Sequence, residues 1–253
     1  MNPKRLVPLE QLRNSPYANV ICYPNLTQKG LRRRLRELEQ LEIATIEFAG
    51  EKTVHDIQVL GKGCVGIVVK ALTKKGGAAL KIRRTDADRR EMKHEAEMLK
   101  IANAINVGPR FLDLSKNFLL MEYIEGTLFP QWLKKTKAKL TIRSVLRSSL
   151  EQCWRLDKKG LDHGELSHAP KHVIIKNDTP YIIDFETAST NRKASNVTAL
   201  SQHFFIASNI AEQVVEKIGK IDQEKLKQTL RSYKREKTRK NFETVLKTVR
   251  LDW

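Results

Sequence analysis

The sequence predicts an α+β fold with a strand-rich front half and a helix-rich back half. Three observations carry this reading. Between residues 54 and 124, apolar β-branched runs alternate with glycines and turn residues. After residue 127 the apolar positions repeat every three to four residues, and one hairpin pattern, at 173–183, returns inside that helical part. With 253 residues, 40% of them hydrophobic, the chain can bury a sizeable core without covalent staples.

Residues 1–53 read as an N-terminal extension. Pro3, Pro8, Pro16 and Pro24 interrupt any periodicity over 1–27, so this stretch wraps or hangs. Over 30–43, Leu31, Leu35, Leu38 and Leu41 then trace an amphipathic helix, expected to pack on the part that follows, with a DNA-reading helix as the rival view. The run VLGKGCVGIVVKAL comes next. Gly61, Gly63 and Gly66, with Lys62 between the first two, form a GxGxxG pattern whose missing Cβ atoms let backbone N–H groups approach a phosphate. A Rossmann turn needs a helix directly afterwards and a P-loop needs GK[ST]; neither follows.

Lys81 is the sole charge in the strand AALKI. In the helix expected over 87–104, Glu95 shares a face with Met92, Met98 and Leu99. A carboxylate there is costly unless paired, and Lys81 is the economical partner. Residues 111–126 read as a hairpin turning at 115–117, followed by a connector. Trp132, Leu133, Leu140, Ile142, Val145, Leu146, Leu150 and Trp154 then mark two helices. In the stretch LDHGELSHAPKHVIIKNDTPYIIDFE, a tight hairpin should bring Glu165 and His172 close to Asp184. Carboxylates gathered in this way repel unless a metal or another cation sits among them. Helices are expected over 206–218, 223–234 and 241–249.

Taken in order, these motifs resemble the protein-kinase-like superfamily. The nearest likeness is to its small atypical members, the RIO-type kinases and the kinase subunit of the tRNA threonylcarbamoylation complex. HGE-L-S resembles their catalytic loop and I-I-D-F their metal loop. Glu165 stands where those families carry Asp, His172 stands where they carry Asn after two extra residues, and Glu186 replaces the Gly of D-F-G. Asn196-Val197 with Phe204-Phe205 resembles a RIO-type run whose first residue is usually Asp.

The resemblance implies a bilobal fold, with a kinase-like N lobe over 54–124 containing helix C and a helical C lobe over 125–253 lacking a full activation segment. It implies ATP with Mg²⁺ or Mn²⁺ as cofactors. Glu165, Lys81 and Asp184 become catalytic; Gly61, Lys62, Gly63, Gly66, Lys81, Glu95 and the backbone of Glu122 and Ile124 become nucleotide-binding; Asp184 and His172 become metal ligands. The implied activity is transfer of the ATP γ-phosphate to a Ser or Thr hydroxyl of a folded protein, or ATP hydrolysis. A catalytically silent nucleotide-binding scaffold on RNA or a ribonucleoprotein is the alternative, motivated by the three departures.

Charge adds a partner class. The chain holds 47 Lys and Arg against 29 Asp and Glu, a net +18, concentrated over 134–147 and 231–240. Such fields attract polyanions, whether RNA, DNA, ribosomes or an anionic lipid surface, and RNA or a ribonucleoprotein is the expected partner class. Low aromatic content argues against a base-stacking platform. Cys22, Cys64 and Cys153 are far apart and odd in number, which excludes a disulfide framework and points to a reducing, cytoplasmic setting. No run is long enough to span a membrane.

Overall fold

The computed structural model describes residues 5–88 and 91–253, apart from the side chains of 168–170. Pro3 and positions 89–90 of the expected helix lie outside the described residues. The chain divides into two compact units, Met1–Glu97 with Arg110–Tyr123, and Met98–Pro109 with Ile124–Trp253. The fold is α+β, with a sheet-rich N-terminal part and a helical C-terminal part.

In the first unit, β1 (Arg5–Pro8), β2 (Ile43–Phe48), β6 (Gly66–Thr73), β7 (Gly76–Arg83), β9 (Phe118–Glu122) and β8 (Phe111–Leu114) lie side by side in that order, all antiparallel. The short β5 (Gly61–Lys62) also pairs with β6, while β3 (Lys52–Val54) and β4 (Ile57–Val59) form a separate hairpin. Within 1–27, where the prolines had suggested a stretch that wraps or hangs, Arg5–Pro8 instead pairs with β2 as an edge strand. A short 3-10 helix, Leu9–Arg13, and α1 (Tyr17–Ile21) follow β1 and bury Leu12, Val20 and Ile21 in the sheet core.

Helix α2 (Gln28–Gln40) begins where Thr27 Oγ1 accepts the Gly30 N–H. The sequence pattern had placed it two or three residues later, but Ile43 opens β2. Its inner face is more than apolar. Arg34 donates from Nη1 to Ile21 O at 2.7 Å and from Nη2 to Asn117 Oδ1 at 3.2 Å. Glu37 accepts from Asn117 Nδ2 at 2.6 Å, Asn117 N at 2.8 Å and Ser115 Oγ at 2.7 Å. This network pins α2 to the β8–β9 turn. Burial pulls the Arg34 guanidinium down to about 10.

Helix α3 (Lys93–Asn103) starts later than the pattern suggested. The chain before it is held by other bonds: Arg84 holds Asp86 through two contacts, and the Met92 N–H donates to the distant Lys116 O.

The second unit contains β10 (Thr127–Leu128), α4 (Phe129–Lys135), α5 (Lys139–Lys159), β11 (Val173–Lys176), β12 (Thr179–Ile182), α6 (Asn196–Phe205), α7 (Asn209–Ile218), α8 (Gln223–Arg235) and α9 (Arg239–Thr248). The expected hairpin is β11–β12, and Asn177 and Asp178 take the two left-handed positions of its turn, φ 50° and 55°. Gly160, at φ 75°, ends α5 and redirects the chain into the loop before β11. Along α5, Ile142, Val145, Leu146, Leu150, Cys153 and Leu156 are buried. Among the described residues no helix is long and apolar enough to cross a membrane.

Candidate active site

In the first unit, the glycine-rich run is the tip of β5–β6. The Gly63 N–H donates to Gly66 O at 2.8 Å, closing the turn. A Cβ at Gly66 would meet Lys81 Cγ and Cε at 3.1 Å and Ile82 O at 3.2 Å, so this glycine clears the path of the Lys81 side chain. At Gly61 and Gly63 the nearest atoms are 3.6 Å away, ordinary contact, so nothing within the fold forbids a side chain there. Lys62 and Arg84 both stand over the Tyr23 ring, at 4.7 and 5.1 Å, and Arg84 Nη1 donates to Gly63 O.

Lys81 faces Val68 on one side and Leu119 on the other, in the middle of β7. Its Nζ lies 2.9 Å from both Glu95 oxygens, with the two side chains only 6% and 5% exposed. The expected pair is therefore formed, and it is buried. Glu122 ends β9 opposite Ala78; its Oε2 accepts from Arg110 N and Nε, and its N–H donates to Arg110 O. Ile124, buried, belongs to the second unit.

The second unit assembles Glu165, His172 and Asp184. His172 Nε2 is 3.0 Å from Glu165 Oε2, and His172 Nδ1 is 3.9 Å from Asp184 Oδ2. The imidazole is buried while both carboxylates are more than one-third exposed. In the tautomer that donates Nε2–H to Glu165, the Nδ1 lone pair faces Asp184. Glu165 keeps its second oxygen for other work. Asp184 has a φ of 69°, rare for a non-glycine residue and the kind of local strain that collects at functional positions.

His163 anchors this arrangement from below. Its Nε2–H donates to Ile183 O at 3.0 Å, tying the loop to the residue before Asp184, and its ring packs on His172 and Phe185. It is fully buried, which pushes its imidazole down to about 4 and keeps it neutral. Gly164, at φ 90°, has no room for a side chain, since a Cβ would lie 2.6 Å from Arg192 Nη2 and 2.9 Å from Thr187 Oγ1. Asp162 accepts from Arg192 Nε at 3.0 Å and from Ser195 N at 3.3 Å, and exchanges two backbone bonds with Ser189. Its carboxylate is committed to holding the 187–195 segment against the loop.

Sequence reasoning missed that clamp, because Arg192 lies in a stretch without periodicity. It also left Asn196 unexplained. Asn196 Oδ1 accepts the His163 N–H, while its Nδ2 donates to Leu161 O and to Asp157 Oδ1, each at 2.8 Å. Asp157 further accepts from the N–H groups of Asn196 and Val197 at the start of α6 and from the Tyr233 hydroxyl. Burial raises the Asp157 pKa, and these donors oppose it. With a buried carboxylate already at Asp157, an amide suits position 196, where a second acid would be repelled.

Asp184 and His172 bring one carboxylate oxygen and one imidazole nitrogen within 3.9 Å of each other, donor types that suit Mn²⁺ better than Mg²⁺. A cation bound there would neutralise phosphate charge.

The family model of the RIO domain matches residues 72–204, just over half of the chain. An uncharacterized protein of Methanocaldococcus jannaschii is 29% identical over 102 residues, covering 39% of this chain and 84% of its own length.

Proposed function

Because the chain belongs to the RIO domain family of atypical kinases and ATPases, we propose that it is an ATP-dependent phosphotransferase moving the γ-phosphate to a Ser or Thr hydroxyl of a folded protein, or to water. The observation that carries this reading is the buried Lys81–Glu95 pair. Two charges are expensive to bury for stability alone, and a fixed ammonium group suits the α and β phosphates. Gly61, Lys62, Gly63 and Gly66 cradle the phosphates, and the backbone of Glu122 and Ile124 takes the adenine edge. Asp184 and His172 hold Mg²⁺ or Mn²⁺. Glu165, with one oxygen on His172, uses the other to orient or accept the proton of the attacking hydroxyl. Asp162, engaged by Arg192 and Ser195, is a positioning residue.

The proposed setting is the cytoplasm, in keeping with three free cysteines. RNA or a ribonucleoprotein is the proposed environment of the basic runs. Within them, Arg143 and Arg147 are engaged by Arg250 O, Leu251 O and Trp253 O, and Arg239 by Glu151 and Glu243, while Lys134, Lys135, Lys137 and Lys139 in the first run and Arg231, Lys234, Arg235 and Lys240 in the second are exposed cations.

The test is ligand-linked stability. ATP with Mn²⁺ should raise the melting temperature, Mg²⁺ should do so less, and Lys81→Ala and Asp184→Asn should each abolish most of the rise relative to their own nucleotide-free values. No rise in the parent protein with either metal overturns the proposal. A result with Mg²⁺ equal to or better than Mn²⁺ removes His172 from the metal's ligands.

A further inference from the structure

The outer face of α2 carries a feature that nucleotide chemistry does not use. Lys29, Arg32, Arg33 and Arg36 are all exposed, and at about 100° per residue they fall within roughly 100° of helical arc. They occupy about 10 Å of helix length at 1.5 Å per residue. Among the described residues none of the four forms an ion pair or hydrogen bond. With Gln28, Gln40 and Glu37, whose carboxylate is turned inward to Asn117 and Ser115, they line a groove. Like charges at these spacings weaken a helix, so the stripe opposes the folding of the element that bears it. The inner face, through Leu31, Leu38 and the Arg34–Glu37–Asn117 network, holds α2 rigidly in place.

We propose that this stripe is a docking surface for the phosphate backbone of double-stranded RNA. Three of the four cations are arginines, whose planar forks pair with phosphate oxygens in two-point contacts. A membrane partner is the poorer fit, because a helix lying on a bilayer presents apolar side chains outward, and here the leucines face the core. Single strands would need aromatic side chains for stacking, and the face has none. The stripe is short, about 10 Å along the helix. The deep, narrow groove of an A-form duplex, which brings the two phosphate rows together, sets more phosphate oxygens within reach of so short a patch than the roughly 12 Å wide groove of B-form DNA does. The surface is independent of the phosphotransfer reading, and its test does not involve ATP.

The experiment uses the full chain and a labelled RNA duplex of about 20 base pairs, followed by fluorescence anisotropy between about 50 and 200 mM salt. Each phosphate contact contributes about 0.9 to the slope of log K against log salt. The Lys29→Gln, Arg32→Gln, Arg33→Gln, Arg36→Gln variant should therefore lose about 2 to 4 from that slope and bind at least about tenfold more weakly at the midpoint salt. Replacing the three arginines by Lys should keep most of the slope. Should the fourfold variant melt below the parent, the Arg32→Gln, Arg36→Gln pair reads the same effect with a loss of about 2. A parent-like slope in the Gln variants overturns the proposal. So does equal or tighter binding of a DNA duplex, of phosphatidylserine vesicles or of polyglutamate that is lost in the same variant.

Discussion

His163 makes the stability of this protein depend on pH in a way that can be calculated. Its imidazole is fully buried, donates to Ile183 O and has its pKa lowered to about 4 from 6.5 by desolvation. Between those values the unfolded chain takes up a proton that the native protein refuses. Native stability is therefore complete above about pH 6.5 and falls as the pH drops toward about 4. For the pair 6.5 and about 4, the loss between about pH 7 and pH 5 is about 2 kcal/mol, and over the whole window about 3 kcal/mol. Urea unfolding of the parent and of His163→Gln isolates this contribution, since Gln can still donate to Ile183 O but cannot titrate. Groups that do not interact with His163, Asp157 among them, cancel in the difference. The parent should lose about 2 kcal/mol more than the variant between those two pH values. Parallel loss in the two proteins would show that His163 is not held neutral, and the reasoning would fail.

Three further outcomes follow from the same contacts. Lys81→Ala should destabilise the protein by about 3 to 5 kcal/mol in urea unfolding, because it removes the partner of a buried carboxylate, and Lys81→Met with Glu95→Leu should recover much of that loss. Asn196→Asp places a second carboxylate beside Asp157; its folded pKa rises, so the variant should become less stable as pH increases above about 4, opposite in sign to the His163 effect and visible in the same titration. Gly66→Ala should displace the Lys81 side chain and reduce the ATP-dependent rise in melting temperature, whereas Gly63→Ala, with its nearest neighbour at 3.6 Å, should leave the nucleotide-free melting temperature near the parent value.

Local chemistry made much of this legible in the sequence. Glu95 on an apolar helical face announced a buried partner, and the strand lysine closest in pattern, Lys81, is that partner. The turn residues between 176 and 180 marked a hairpin, and that hairpin gathers Glu165, His172 and Asp184, with Asn177 and Asp178 at positive φ. What escaped depends on distant partners. β1 is a strand only because β2 pairs with it, and its own residues, Arg5–Pro8, carry no strand pattern. The start of α3 is set by Lys116 O on the β8–β9 turn. Asn196 makes sense only beside Asp157, 39 residues earlier, and Arg192 only beside Asp162, 30 residues earlier. Arg143 and Arg147 looked like free cations, yet they contact backbone carbonyls more than a hundred residues away.

The phosphotransfer reading stands or falls on Glu165. Glu165→Gln preserves the acceptor for His172 Nε2 while removing the carboxylate, so it separates the base from the positioning of His172. The decisive measurement is steady-state turnover of labelled ATP with Mn²⁺ and a candidate protein partner, together with the nucleotide-induced melting shift in the same samples. Turnover should fall at least about a hundredfold in Glu165→Gln with the melting shift retained, and much less in Asp162→Asn. Parent-level turnover in Glu165→Gln, or a parent that binds nucleotide but turns over none with any partner, would contradict the account and identify a silent nucleotide-binding scaffold.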